Sequence, residues 1–181
     1  MSATVVIRKN PAATAALLIA AAGAATILGA YFFEYVLRLA PCPLCLEQRI
    51  PYYVAIPLAL VVAIAALRGA PHPLVVGGLG LLAVAMLIGA GLGVFHAGVE
   101  WKFWEGPRDC SGPITNFGNA GSLLQQMQST SVVRCDEAAW RFLGLSLAGY
   151  NVLISLALAA VALWGILAQK AKLVGWAKAH L

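Results

Sequence analysis

Four long stretches without a charged residue dominate this chain. They run over residues 10–33, 50–67, 69–99 and 142–169. Each reaches the roughly 18 to 20 apolar residues that a helix needs to cross the hydrocarbon core of a bilayer. Only 10% of all residues are charged, whereas soluble domains typically have about 25%. The sequence therefore predicts an all-α integral membrane protein and excludes a soluble domain.

Four transmembrane helices are predicted in one membrane domain that spans residues 1–181. The helices are placed at about residues 11–33, 47–67, 74–95 and 144–168. Each crossing reverses the side of the membrane, so the loops at about 34–46 and 96–143 share one side and both termini share the other. The first helix is expected to be retained, because the apolar core of a cleaved signal peptide is only about 7 to 15 residues long.

The distribution of charge predicts the orientation. The two termini and the 68–73 turn carry six basic residues and no acid, whereas the other side carries six basic residues mixed with all seven acids over a longer stretch. Basic residues in short loops favour the cytoplasm, so both termini are expected there and the two long loops in the periplasm. The net charge of +5 then reflects contact with anionic membrane lipid, and no nucleic-acid partner is needed.

Four cysteines fall in two groups on the predicted outer side. Cys42 and Cys45 lie at the mouth of the second helix. Cys110 and Cys135 lie in the long loop after the third helix. A C-x-x-C spacing lets two sulfurs close a small ring, and a helix N-terminus stabilises a thiolate. Arg49 lies one helical turn after Cys45, where its cation would stabilise that thiolate or an anionic ligand. This pattern favours thiol–disulfide electron transfer at the membrane surface.

Other uses of four cysteines fit the sequence less well. A zinc site needs four ligands, and the cysteines at 110 and 135 lack the close spacing of a second C-x-x-C half-site. Covalent haem requires a histidine directly after the second cysteine, whereas position 46 is leucine. Two inert structural disulfides would suit an oxidising compartment, but a ring as small as that of C-x-x-C would stabilise little. We therefore predict no metal and redox-active cysteines.

His96 is a further polar candidate near the outer membrane surface. It lies four residues before Glu100, on the same face of the third helix. One interpretation is a hydrogen-bond or proton donor to the carbonyl group of a ligand. The other is an amphipathic side chain at the interface with no role in binding. Arg49 has a similar alternative, as a cation that extends towards the headgroups, but its spacing from Cys45 favours binding.

Together these residues resemble the DsbB family of quinone-linked, disulfide-generating membrane proteins. The resemblance covers essentially the whole chain. It is carried by Cys42-Pro43-Leu44-Cys45 with Arg49 behind it, by Cys110, and by the segment CDEAAWRFLGLS at 135–146. It implies a four-helix bundle in the bacterial inner membrane, with the C-x-x-C at the mouth of helix two and a long cysteine-bearing periplasmic loop between helices three and four. It also implies a protein-disulfide:quinone oxidoreductase.

The resemblance assigns a role to each cysteine. A reduced periplasmic thioredoxin-fold oxidase of the DsbA type would attack a Cys110–Cys135 disulfide and form a mixed disulfide at Cys110. Cys135 would then attack Cys42 in a Cys42–Cys45 disulfide. This attack would free Cys45 as a thiolate that donates electrons to a quinone.

The resemblance also implies the electron acceptor. It would be ubiquinone or menaquinone, with Arg49 and His96 as the quinone-binding residues. A DsbA-type partner has a reduction potential of about −120 mV, so ordinary dithiol pairs would not regenerate it.

Two alternative functions remain. A vitamin K epoxide reductase-like protein also reduces a quinone, but carries its C-x-x-C after the loop pair, whereas here it comes first. A non-enzymatic membrane scaffold with structural disulfides would leave quinone unchanged.

Overall fold

The chain forms five α-helices and one small hairpin in the residues that the computed structural model describes, which are 10–107 and 134–179, with side chains up to 169. The elements are α1 (Pro11–Tyr31), a π-helical segment (Phe32–Val36), α2 (Pro43–Glu47), α3 (Ile50–Leu67), α4 (His72–Glu100), β1 (Arg141–Phe142), β2 (Leu145–Ser146) and α5 (Leu147–Ala179).

Four spans within these ranges are long and apolar enough to cross a membrane. They are Pro11–Val36, Pro43–Leu67, His72–Glu100 and Leu147–Gln169. Many of their leucine, isoleucine and valine side chains are exposed on the outside of the protein. Apolar side chains on the outer surface of a helical bundle are expected where lipid is the surrounding solvent. The predicted all-α, four-helix membrane fold is confirmed.

The four spans pack as a closed ring. α1 packs against α3 and α5, and α4 packs against the same two helices. Small residues allow the closest approaches, as is common between transmembrane helices. A Cβ atom added to Gly93 of α4 would lie 2.8 Å from Val152 and 3.2 Å from the Asn151 amide nitrogen of α5. This close contact brings a polar side chain of α5 into the ring.

The second span differs from the single helix predicted at about 47–67. It begins earlier, as α2, is interrupted at Gln48 and Arg49, and continues as α3. Pro51 explains the interruption, because its ring carries no N–H and clashes with the carbonyl group four residues earlier. The chain therefore turns at Gln48 and Arg49, and both side chains are buried.

The last two spans also differ from their predicted ends. α4 continues past residue 95 to Glu100, and α5 starts only after an antiparallel hairpin of β1 and β2. Leu143 and Gly144 in the hairpin turn have φ angles of 50° and 83°, as a two-residue type I′ turn requires. The hairpin brings Ser146 into hydrogen-bonding contact with Glu100, so it closes the end of the bundle where the cysteines lie.

Candidate active site

The C-x-x-C pair lies at the start of α2. Cys42 is the N-cap, and its sulfur accepts a hydrogen bond from the Cys45 N–H at 3.3 Å. Pro43 follows at the first helical position, where a missing N–H costs little. Cys42 and Cys45 are free thiols whose sulfurs lie 2.8 Å apart. The hydrogen bond to the Cys45 sulfur, together with burial, raises the pKa of Cys42.

Cys135 packs against this pair. It is 1% exposed and disulfide-bonded. One small buried cluster contains Cys42, Leu44, Val99 and Cys135, with Cys45 at its edge. The structure thus brings three of the four predicted cysteines together. Cys110, the fourth, lies outside the described residues.

An ion-pair network holds the segment next to Cys135. Asp136 accepts a hydrogen bond from Arg134 at 2.8 Å and also pairs with Lys102, which follows α4. These two cations hold the pKa of the Asp136 carboxyl well below its usual range. The side chains are largely exposed, so the network adds little stability, but it tethers the chain beside Cys135 to the end of α4.

A cavity of about 600 Å3 opens beside the sulfurs. Its apolar wall includes Ile27, Phe33, Trp140 and Ile154, and its polar end includes Cys45, Arg49, His96 and Glu100. Sites for small organic ligands usually have this size and this division between apolar walls and a few polar groups. The cavity is suited to an amphipathic ring compound.

Arg49 is buried in the wall of this cavity. Its Nη1 donates a hydrogen bond to Glu34 Oε2 at 2.6 Å, and its guanidinium carbon lies 5.3 Å from the centre of the Tyr31 ring. Glu34 belongs to the π-helical segment and Tyr31 to α1, so the first span holds a cation that is carried by the second. A guanidinium held in this way is a fixed positive charge at the polar end of the cavity.

His96 lies between the two redox pairs. Its Nε2 is 3.6 Å from the Cys42 sulfur and 3.9 Å from Glu100 Oε1, and the ring also hydrogen-bonds the backbone of Cys135. Gln48 Nε2 donates to the other ring nitrogen, Nδ1, at 2.6 Å. His96 therefore lies directly beside the Cys42 sulfur.

Glu100 adds a buried acid to the site. Ser146 hydrogen-bonds its carboxyl group, while Oε2 has no hydrogen-bond partner among the described residues. A buried polar atom without a partner is unfavourable. Because Glu100 lines the cavity, a polar ligand there can satisfy this oxygen.

Four polar residues of this region, three of them buried and Asn151 half-buried, were not predicted from the sequence. They are Gln48, Tyr52, Asn151 and Ser155, which form one hydrogen-bonded chain from His96 into the bundle. Polar side chains inside membrane helices are costly and often functional. A search for polar residues within the four apolar spans would have found them.

The same region contains a potential set of metal ligands. Cys42, Cys45 and His96 place their ligand atoms within 4.8 Å of one another. Soft thiolate and imidazole ligands suit zinc. That this site holds no metal stays a prediction. Whether His96 can act as a ligand depends on which of its ring nitrogens carries the proton.

The chain is similar to known proteins over most of its length. The family model of the disulfide bond formation protein DsbB matches residues 12–165. A disulfide bond formation protein B from Polaromonas sp. strain JS666 is 30% identical over 149 residues, which cover 81% of this chain and 85% of the relative. One from Acidovorax sp. strain JS42 is 30% identical over 141 residues, or 74% and 75% of the two chains.

A further relative, an uncharacterised protein of Rickettsia prowazekii, is 28% identical over 131 residues, which cover 71% of this chain and 73% of that protein. No solved structure matches the chain. The family match covers all four membrane spans and the described cysteines, and it confirms the resemblance drawn from the sequence. The chain therefore belongs to the DsbB family of disulfide bond formation proteins.

Proposed function

We propose that this protein is a membrane thiol:quinone oxidoreductase that reoxidises a periplasmic DsbA-type thioredoxin-fold protein. Two partner thiols lose two electrons and two protons and become a disulfide, while one quinone gains them and becomes a quinol. The burial of Cys135 and Cys42 in one small cluster, beside a cavity that Cys45 lines, is the observation that carries the proposal. The proposal includes a location in the bacterial inner membrane, with both termini cytoplasmic and the cysteines periplasmic.

The relay begins at the loop pair. The partner's thiolate attacks Cys110 of the Cys110–Cys135 disulfide, and Cys135 leaves with the electron pair. Cys135 then attacks Cys42 of a Cys42–Cys45 disulfide, and Cys45 leaves as a thiolate. Each exchange needs contact between sulfurs, which the shared burial of Cys135 and Cys42 supports. The partner's second thiol then resolves the mixed disulfide at Cys110, and the partner leaves oxidised. The freed Cys110 attacks Cys135 of the Cys42–Cys135 disulfide, which restores the loop disulfide and leaves Cys42 and Cys45 as a dithiol. That dithiol would supply two electrons and two protons to the acceptor as its own disulfide re-forms.

The order of the second exchange follows from the environment of its sulfurs. Both Cys42 and Cys45 line the cavity, but Cys42 is buried with Cys135, whereas Cys45 is partly exposed. Cys45, the more exposed sulfur of the pair, is the one that a ligand in the cavity can reach. A thiolate is both the better leaving group and the form that donates electrons. Cys45 is thus the last sulfur of the relay.

The residues at the polar end of the cavity fit a quinone, and the apolar walls fit its lipid-soluble part. When bound, ubiquinone or menaquinone accepts two electrons and two protons. Arg49 holds a fixed positive charge where an oxygen becomes negative, which is the type of electrostatic stabilisation that lowers barriers most. His96 and Glu100 line the same cavity and can hold exchangeable protons, and Glu100 Oε2 has no hydrogen-bond partner among the described residues.

An anaerobic mixing experiment tests this function. Purified, quinone-loaded protein is mixed with an excess of a reduced DsbA-type partner, and quinone absorbance and partner thiols are followed together. We expect two partner thiols to disappear for each quinone lost, because the relay moves two electrons per disulfide. Unchanged quinone with all four cysteines still oxidised would contradict the proposal and favour structural disulfides.

Removal of the Arg49 cation is expected to weaken quinone use selectively. A hydrogen bond to a charged group is worth about 1.5–3 kcal/mol, so Arg49→Ala should raise the KM for quinone by about 10- to 100-fold and leave the KM for the partner unchanged. Steady-state kinetics with each substrate varied in turn measures both constants.

The control for this variant is Arg68→Ala. Arg68 is an exposed arginine that caps the far end of α3, so its loss should change neither constant. A raised KM for the partner with an unchanged KM for quinone in Arg49→Ala would remove Arg49 from the quinone site.

A further inference from the structure

Two amide side chains connect α5 to His96 across the inside of the bundle. Gln48 lies at the break between α2 and α3, and Asn151 lies in α5. Asn151 Nδ2 donates to Gln48 Oε1 at 2.7 Å, and Gln48 Nε2 donates to His96 Nδ1 at 2.6 Å. Amides do not ionise near neutral pH, so this chain of bonds orients groups and does not conduct protons.

We propose that Gln48 and Asn151 are positioning residues that hold His96 in the tautomer with its proton on Nε2, so that this N–H faces the Cys42 sulfur. The inference deepens the proposed function, and only its consequence for turnover rests on that function. The tautomer itself is a property of the folded chain and can be measured without partner or quinone.

Backbone carbonyl groups fix the direction of both amides. Gln48 Nε2 donates to Leu44 O at 3.3 Å, and Asn151 Nδ2 donates to Gly89 O at 3.3 Å. A carbonyl oxygen can only accept a hydrogen bond. Rotation of either amide by 180° would place two oxygens against each other and lose both bonds. The amide groups must therefore keep their nitrogens on these carbonyl oxygens.

This direction determines the state of the imidazole. One N–H of Gln48 Nε2 is used by Leu44 O, and the other points at His96 Nδ1. Nδ1 must accept that bond, so it carries a lone pair. A neutral imidazole has one proton, which then lies on Nε2. Nε2 is the nitrogen 3.6 Å from the Cys42 sulfur.

The far end of the chain completes the pattern. Tyr52 donates its hydroxyl proton to Asn151 Oδ1 at 2.8 Å, so its oxygen is left to accept from Ser155 Oγ at 2.8 Å. Each group of this hydrogen-bonded series therefore donates towards His96, and every N–H and O–H of the four side chains from Ser155 to Gln48 has an acceptor. Tyr52 is 1% exposed and Ser155 0%, so water does not compete for these bonds.

The N–H on Nε2 has a consequence for the relay. When the Cys110–Cys135 disulfide re-forms, the bond between Cys42 and Cys135 breaks and Cys42 leaves with the electron pair. The Nε2–H, which the Cys42 sulfur at 3.6 Å shares with the Cys135 backbone carbonyl, stabilises the new charge. His96 acts on a reacting atom, whereas Gln48 and Asn151 act through His96.

The same tautomer leaves the His96 nitrogen that faces the thiols without a lone pair for a metal ion. A neutral histidine binds zinc through its unprotonated nitrogen. In His96 that nitrogen is Nδ1, which faces Gln48, while the protonated Nε2 faces the two thiols. The ligand set of Cys42, Cys45 and His96 is therefore incomplete for as long as Gln48 holds the ring in this state.

Gln48→Glu reverses the bond at Nδ1, because a carboxylate can only accept there. We expect the proton to move to Nδ1 and the lone pair to face the thiols. A carboxylate behind a ligating histidine typically changes metal affinity by about 10- to 100-fold. The reduced Gln48→Glu protein should bind Zn²⁺, and be inhibited by it, at concentrations about 10- to 100-fold lower than the unchanged protein. Glu47→Gln, an exposed neighbour with the opposite exchange, should behave as the unchanged protein.

The decisive measurement is the 15N spectrum of the full-length, quinone-free protein with labelled histidine. The His96 signals are assigned by their loss in His96→Gln. We expect a protonated Nε2 in the unchanged protein and a protonated Nδ1 in Gln48→Glu. A protonated Nδ1 in the unchanged protein would overturn the inference whatever the activity, and so would equal Zn²⁺ affinities of the two proteins. A protonated Nε2 in a protein that never reduces quinone would leave this inference standing and reject the proposed function.

Discussion

Replacing Cys45 with serine is expected to lower quinone reduction by at least about three orders of magnitude, the scale on which enzymes respond to loss of a reacting nucleophile. A serine hydroxyl neither ionises near neutral pH nor forms a disulfide. Cys45 is the thiol of the pair that is partly exposed and lines the cavity, whereas Cys42 is 3% exposed. No other described thiol is both partly exposed and part of the cavity wall, so no second thiol could pass electrons to a quinone there.

The measurement follows quinone and partner thiols in the same anaerobic reaction. The loop disulfide of Cys45→Ser can still accept one electron pair, so oxidation of the partner should stop after about one equivalent while quinone stays unchanged. Leu46→Ser is the matched control, because Leu46 is an exposed neighbour in the same short helix and should retain full turnover. Continued loss of quinone in Cys45→Ser would mean that electrons leave through another sulfur.

The membrane spans could be predicted because length and apolarity alone decide them. The interruption of the second span could not be placed from its prolines alone, since Pro51 follows the break whereas Pro57 lies inside α3. The pairing of Arg49 with Glu34 could not be predicted from the sequence, because it joins two spans whose relative rotation depends on packing along their whole length. The π-helical segment that carries Glu34 has no sequence signal of its own.

Within the site, contacts between residues that are close in sequence could be predicted, whereas contacts between distant residues could not. His96 and Glu100 were placed on one helical face from their spacing, and the structure has their polar atoms 3.9 Å apart. Gln48 and Asn151 are 103 positions apart, and only the ring of four helices brings them together. Their contact, and with it the tautomer inferred for His96, required tertiary structure.

Replacing Cys110 with serine is expected to abolish oxidation of the partner, with a loss of at least about three orders of magnitude in turnover. Cys135 is disulfide-bonded and 1% exposed, so a thiolate on a folded partner cannot approach it. Attack must fall on the other sulfur of that disulfide, which the proposed relay assigns to Cys110, a residue outside the described ranges. Partner thiols and quinone are followed as for Cys45→Ser.

A double variant separates the two halves of the relay. Cys110→Ser combined with Cys135→Ser removes the freed loop thiol, and dithiothreitol can then replace the partner as the donor to Cys42 and Cys45. Quinone should be reduced by this small dithiol, because the C-x-x-C and the cavity are intact, while the protein partner remains unoxidised. Oxidation of the partner at the normal rate would show that it reacts directly with the C-x-x-C. The burial of Cys42 opposes that route, since a direct attack would have to use Cys45 and would compete with quinone for the same sulfur.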